Sequence, residues 1–151
     1  MKENLCKIIE YLNENINEKI SINNLSKKFN YDRFYLMHLF KKQFNITIID
    51  YLNKIRIYNS LNDLKKESSI LNVALNNGFI SQEYYTETFK NILGINPSQY
   101  RSILKNDKNN YNTNEIINKI IAIQEIKKEI NQFYTLNKKI EAISLKLKSK
   151  K

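Results

Sequence analysis

The chain is expected to be all-α: two helix-turn-helix subdomains joined by a central connecting helix, seven helices in all, followed by a helical C-terminal extension. Three observations lead there. Two Gly and one Pro occur among 151 residues, so little interrupts a helix. Apolar residues recur three and four positions apart along most of the chain, the spacing of a helix with one buried side. One pattern also occurs twice, Leu36-Met37-His38-Leu39-Phe40-Lys41 and, 49 positions later, Tyr85-Thr86-Glu87-Thr88-Phe89-Lys90.

The elements follow in order. Leu5, Ile8, Ile9, Leu12 and Ile16 give the first helix its apolar side. Ser21 is a helix cap for a short segment turning Ile22, Leu25 and Phe29 inward. Asn30-Tyr31 makes a turn, and Asp32 caps the next helix, which runs to Phe44 with Leu36, Leu39 (or Tyr35), Phe40 and Phe44 inward. Thr47 with Asp50 three residues on is a capping-box arrangement. It opens the connecting helix, which runs to about Lys65 with Tyr51, Leu52, Ile55, Leu61 and Leu64 on its apolar side.

Ser69 caps a short helix carrying Ile70, Val73 and Ala74. Gly78-Phe79 turns the chain, because Gly takes positive φ without strain. Ser81 caps the second copy of the longer helix, ending at Gly94. Asn96-Pro97 is a cap followed by proline at the first helical position, opening a closing helix with Tyr100 and Ile103. Tyr31 and Phe79, at the two turns, are expected in the core.

This unit occupies residues 1–105. Residues 106–114 are polar and Asn-rich, the composition of a linker. Residues 115–151 resume a helical pattern, with Ile116, Ile123 and Ile130 at one heptad position and Ile126, Phe133, Ile140 and Leu147 at another. Asn137 and Ser144 interrupt the first position, Lys119 the second. The expectation is one extra helix, or a broken pair, folded back on the domain. The alternative is a homodimer through 115–148, with Asn137 setting the register.

Formal charge is +10, with 15 Lys/Arg against 10 Asp/Glu in residues 1–105 and 10 against 5 in the remainder. Such a surface favours polyanions, nucleic acid before anionic membrane. Cys6 is the only cysteine, which excludes an intrachain disulfide framework; on an apolar helix side it reads as a buried, inert thiol. With one His, no clustered metal ligands and no glycine-rich phosphate loop, neither an enzyme nor a cofactor is expected. No apolar run nears the ~20 residues of a membrane span, and acidic and amide residues begin at Glu3. A cytoplasmic protein without a membrane partner is expected.

A helix-turn-helix places its second helix in the major groove of duplex DNA, where each base pair shows a distinct set of donors and acceptors. If 32–44 and 81–93 are the two reading segments, their outward residues align across the 49-residue offset: Arg33, Phe34, Met37 and His38 with Gln82, Glu83, Thr86 and Glu87. These are the candidates for base readout. Lys41, Lys42, Lys90 and Arg101 are the candidates for phosphate contact, Arg56 and Arg101 being structural or phosphate-binding rather than base-reading. A connecting helix of about 18 residues makes a rod of roughly 27 Å. Neighbouring major grooves on one face lie ~34 Å apart, so one chain can address two of them.

Several runs together carry a family resemblance. They are Ile22…Leu25-Ser26…Phe29, Leu36…Phe40-Lys41-Lys42, Tyr51-Leu52…Arg56-Ile57, Ile70…Val73-Ala74…Gly78-Phe79 and Tyr85…Phe89-Lys90…Gly94-Ile95-Asn96-Pro97-Ser98…Tyr100-Arg101. In these residues 5–103 resemble the DNA-binding unit of the AraC/XylS family of bacterial transcription regulators. The resemblance implies a bilobed, homeodomain-like helical domain that binds promoters and usually activates transcription. Asn45 stands where that family mostly has Gly, Ser60 where it mostly has Ala, and His38 and Glu87 where it often has Arg. A first lobe dominating base readout is therefore expected, with the second docking through Lys90 and helix-end amides. The rival reading is an interaction module that docks RNA polymerase or another regulator through Glu83, Glu87 and the helical tail. Residues 115–151 are too few for a ligand-binding domain, so a short stand-alone member is expected.

Overall fold

A computed structural model describes residues 2–105 and 112–150, and the regular elements among them are all α-helices. The first lobe comprises α1 (Lys2–Glu14), α2 (Ile22–Phe29) and α3 (Arg33–Phe44); α4 (Ile48–Asp63) connects it to α5 (Ile70–Asn76), α6 (Gln82–Leu93) and α7 (Pro97–Leu104). The extension is a single helix, α8 (Thr113–Ser149). Its N-cap is Asn112, whose side chain accepts from the Glu115 amide at 3.2 Å, so the end of the expected linker is already helix. Residues 106–111, the rest of that linker, lie outside the described residues.

Local chemistry sets most boundaries. Ser21, Asp32, Ser69 and Ser81 each accept from an amide of the first turn they precede, satisfying donors that the helix itself cannot. Thr47 does the same for Asp50, but the reciprocal capping box forms at Asn96 and Gln99 instead. α4 stops at Asp63, two residues short of expectation, which makes the rod about 24 Å long. Helix α3 closes on Asn45 at φ 57 and α6 on Gly94 at φ 83, and both cap amides donate to a lysine carbonyl at 2.8 Å. Asn tolerates the left-handed region well enough to replace Gly there.

Burial repeats with the sequence. Leu36, Leu39, Phe40 and Phe44 are buried on α3; Tyr85, Thr88, Phe89 and Leu93 are buried at the same positions on α6. The helices before them are offset by 48 residues rather than 49, for left-handed Asn30 matches Gly78 while caps Asp32 and Ser81 match each other. The second turn therefore contains one extra residue. Phe79 is in the core as expected, whereas Tyr31 is only half-buried against it.

Four hydrogen bonds from three side chains hold the lobes and loops together. Arg56 of α4 donates from Nε to the Ile16 carbonyl at 2.8 Å and from Nη2 to Glu18 at 2.7 Å, fixing the α1–α2 loop. A Cβ added to Gly78, at φ +86, would lie 2.9 Å from the same Nε, so the second turn closes directly on this arginine. Tyr85 donates to Ser60 Oγ at 2.8 Å, and Ser60 donates to the Ile57 carbonyl at 2.7 Å. Ser60 thus supplies the buried partner that the Tyr85 phenol needs. Burial pushes the Tyr85 hydroxyl up to about 12, against the milder pull of Ser60, and pushes Tyr51 equally far.

The tail folds back. α8 packs on α1, α4 and α6, burying Ile116, Ile123 and Ile130 with Ile120, Ile126 and Phe133 beside them. Those heptad positions face the chain's own core, so a dimer through the whole of 115–148 would have to withdraw them from it. Ile140 and Leu147 of the second heptad position are exposed instead. Cys6 is buried, and burial raises its thiol pKa.

Candidate nucleic-acid interface

Because Leu36, Phe40 and Phe44 hold one side of α3 to the core, the opposite side is presented to solvent. Arg33, Phe34, His38, Lys41 and Lys42 are exposed there and Met37 is half-buried. Phe34 is 70% exposed, with the Arg33 guanidinium 5.7 Å from its ring centre. On α6 the matching positions behave alike: Gln82, Glu83, Glu87 and Lys90 are exposed and Thr86 is half-buried. Both sets remain open although α8 is docked.

The chemistry of the two faces differs. α3 offers guanidinium, imidazole, thioether and phenyl groups, with Lys41 and Lys42 in its last turn. The first can donate to guanine acceptors, and the apolar groups can touch a thymine methyl. α6 offers an amide, a hydroxyl and two carboxylates, with Lys90 its only basic residue. Glu83 lies in the first turn, where it complements the helix dipole but opposes a phosphate. Glu87 lines a groove of about 250 Å³ between α4 and α6, together with Asp50, Lys54 and Asn91.

Arg101, expected to be structural or phosphate-binding, makes structural bonds. Its Nε donates to the Leu64 carbonyl at 3.1 Å and its Nη2 to Ser68 at 2.8 Å, so the guanidinium fixes the α4–α5 loop. These two carbonyls engage two of the five N–H donors of the guanidinium. Arg56 is structural in the same manner, with its pKa lowered by desolvation.

Sequence reasoning missed two features of this surface. Ile80 is 70% exposed immediately before the cap of α6, in the turn carrying the extra residue. Counting that residue in the sequence would have revealed it. Tyr35 and Tyr84, again 49 positions apart, flank the starts of the reading helices at 38% and 40% exposure. Each accepts a hydrogen bond from outside its own helix: Tyr35 from Asn4 at 3.3 Å, Tyr84 from Asn53 at 3.1 Å. They brace the N-termini that would approach DNA.

Among the described residues no group of three or more His, Cys, Asp or Glu could hold a metal, and no helix is long and apolar enough to cross a membrane. A family profile for a helix-turn-helix domain matches residues 25–103. The regulatory protein SoxS of Salmonella typhimurium is 27% identical over 95 residues, covering 62% of this chain and 89% of that protein. An AraC-type transcriptional regulator structure from Chromobacterium violaceum superposes with a TM-score of 0.56 at 24% identity, over 66% of this chain and 90% of that one. The DNA-binding domain of AdpA, solved with a target DNA, superposes with a TM-score of 0.59 at 21% identity, over 68% of this chain and 93% of that one. The last two show a shared fold.

Proposed function

The chain belongs to the AraC-type family of helix-turn-helix DNA-binding transcription regulators, and on that ground we propose that it is a sequence-specific activator whose first lobe dominates base readout. Arg33, Phe34, Met37 and His38 address base edges, while Lys41, Lys42 and Lys90 hold phosphates. Gln82, Glu83, Thr86 and Glu87 enter the neighbouring groove as a weaker reader, where a carboxylate accepts from cytosine N4 but is opposed by nearby phosphates. As an activator the protein would engage RNA polymerase from its promoter site. It acts by binding rather than by catalysis.

The observation that carries this reading is the matched register of α3 and α6, each holding one face in the core and the aligned face open to solvent. Selection of bound duplexes from a random pool tests it. The expected product is a site with two half-sites about one helical turn apart, the half read by α3 more sharply defined. Equal binding to the selected site and to a scrambled duplex at moderate salt would sink it. Activation is tested separately, by transcription from a promoter bearing the selected site with and without the protein.

A further inference from the structure

We propose that α8 is a brace that fixes the separation of the two reading helices, so that the protein accepts only one spacing between its half-sites. This rests on the two-lobed reading above and concerns what sets its geometry. The seven-helix unit joins its lobes through α4, against which α3, α5 and α6 all pack. α8 adds a second, independent connection.

Its contacts come in sequence along one unbroken helix. Ile116 is buried at the end of α6, where it lines a small groove with Leu93, Gly94 and Ile95, and Lys119 Nζ would lie 3.0 Å from a Cβ on Gly94. One turn further, Ile123 is buried, Gln124 donates to the Tyr58 hydroxyl of α4 at 3.0 Å, and Lys127 stands 5.5 Å from the same ring. Ile130 is buried next, and Phe133 meets Phe44, the last residue of α3, edge to face at 5.1 Å. Tyr134 and Lys138 then reach Glu10 of α1, at 3.2 and 3.8 Å.

The C-terminal ends of both reading helices therefore rest on one rod, at Ile116 and Phe133. Those residues are 17 positions apart, roughly 26 Å along a helix axis. Turning or translating one lobe against the other would pull an apolar anchor out of the core. The rod does not cover what it braces, since Arg33, Phe34, His38, Gln82, Glu83 and Glu87 stay exposed with it in place. The consequence is strict spacing. One added base pair moves a half-site by ~3.4 Å and rotates it by ~34°, more than a doubly connected pair of lobes can follow.

The test uses the full chain with Lys128→Gly and Glu129→Gly together. Both residues are exposed and lie between the α4 contacts and the first-lobe contacts, so the substitution weakens the rod and leaves the anchors intact. Affinity is measured on the selected operator and on operators with one or two base pairs added or removed between the halves. The unsubstituted protein should lose roughly tenfold or more for one base pair, and the glycine variant about threefold or less, with weaker binding at the native spacing. Circular dichroism checks that the variant is folded; if it is not, Phe133→Ala, which removes the edge-to-face contact with Phe44 and leaves Ile116 in place, gives the same comparison. A spacing profile identical to that of the unsubstituted protein would overturn the brace. So would uniformly tighter binding, which would make α8 a cover. Failure of the random pool to yield any two-part site sinks the two-lobed reading first, and is distinguishable because it appears with the unsubstituted chain.

Discussion

The helices α3 and α6 are alike inside and opposed outside. Their buried positions correspond one for one, from Leu36 and Tyr85 to Phe44 and Leu93, yet their surfaces carry opposite balances of charge. α3 has Arg33, Lys41 and Lys42 and no acid within its span; α6 has Glu83 and Glu87 against Lys90. A duplicated unit can retain its packing register while its exposed face changes freely, because only the buried face is tied to the fold. The second lobe thus keeps the architecture of a groove reader with less of the charge that holds DNA.

The interiors differ at three of the four matched positions: Leu36, Leu39 and Phe44 of the first lobe correspond to Tyr85, Thr88 and Leu93 of the second. Leu36 of the first lobe is replaced by Tyr85, and that phenol requires Ser60. The largest expected effect tests the part that is shared: Phe40→Ala and Phe89→Ala should each cost ~3–5 kcal/mol, measured by urea denaturation, because both side chains are fully buried. Very unequal costs would break the equivalence of the lobes. Next comes Ser60→Ala, which leaves the Tyr85 hydroxyl unpartnered and should cost ~1–3 kcal/mol, with Ser60→Ala/Tyr85→Phe together costing less than the sum of the two single changes. Additive costs would mean that the hydrogen bond does not couple them.

The same phenol gives a pH dependence. The folded-state pKa of Tyr85, and that of Tyr51, is raised from 10.0 to about 12, so the neutral form is favoured by folding. Their contribution is complete below pH 10 and is lost as pH rises from 10 towards 12, where the unfolded chain ionises first. Thermal melts across that window should fall in Tm, and Tyr85→Phe should flatten the fall. The smallest effect concerns the surface: Lys41→Ala and Lys90→Ala should each reduce the salt slope of DNA binding by about one, without altering sequence preference. A change in preferred bases would show that these lysines read bases.

How much of this was legible in the sequence follows from the range of each interaction. Caps, turns and the inward stripes of α3 and α6 are local, and Ser21, Asp32, Ser81 and Asn96 act as their positions indicate. The outward faces follow from those stripes. Other features depend on which loop or helix lies opposite, and spacing along one helix does not encode that. Arg101 bonds carbonyls 37 and 33 residues away, Ser60 meets Tyr85 across 25, and Tyr134 meets Glu10 across 124. The α8 heptads are the clearest case, for an apolar stripe reads the same whether its partner is a second chain or its own domain.

The division of labour between α3 and α6 is tested most directly by base-by-base affinity on the selected operator, comparing Met37→Ala/His38→Ala with Thr86→Ala/Glu87→Ala. The first pair should abolish ~1–3 kcal/mol of discrimination at particular bases of one half-site. The second should change discrimination less and, by removing Glu87, should tighten binding overall. A sharper loss of base preference from the α6 pair, or no loss from the α3 pair, would contradict the assignment of base readout to the first lobe.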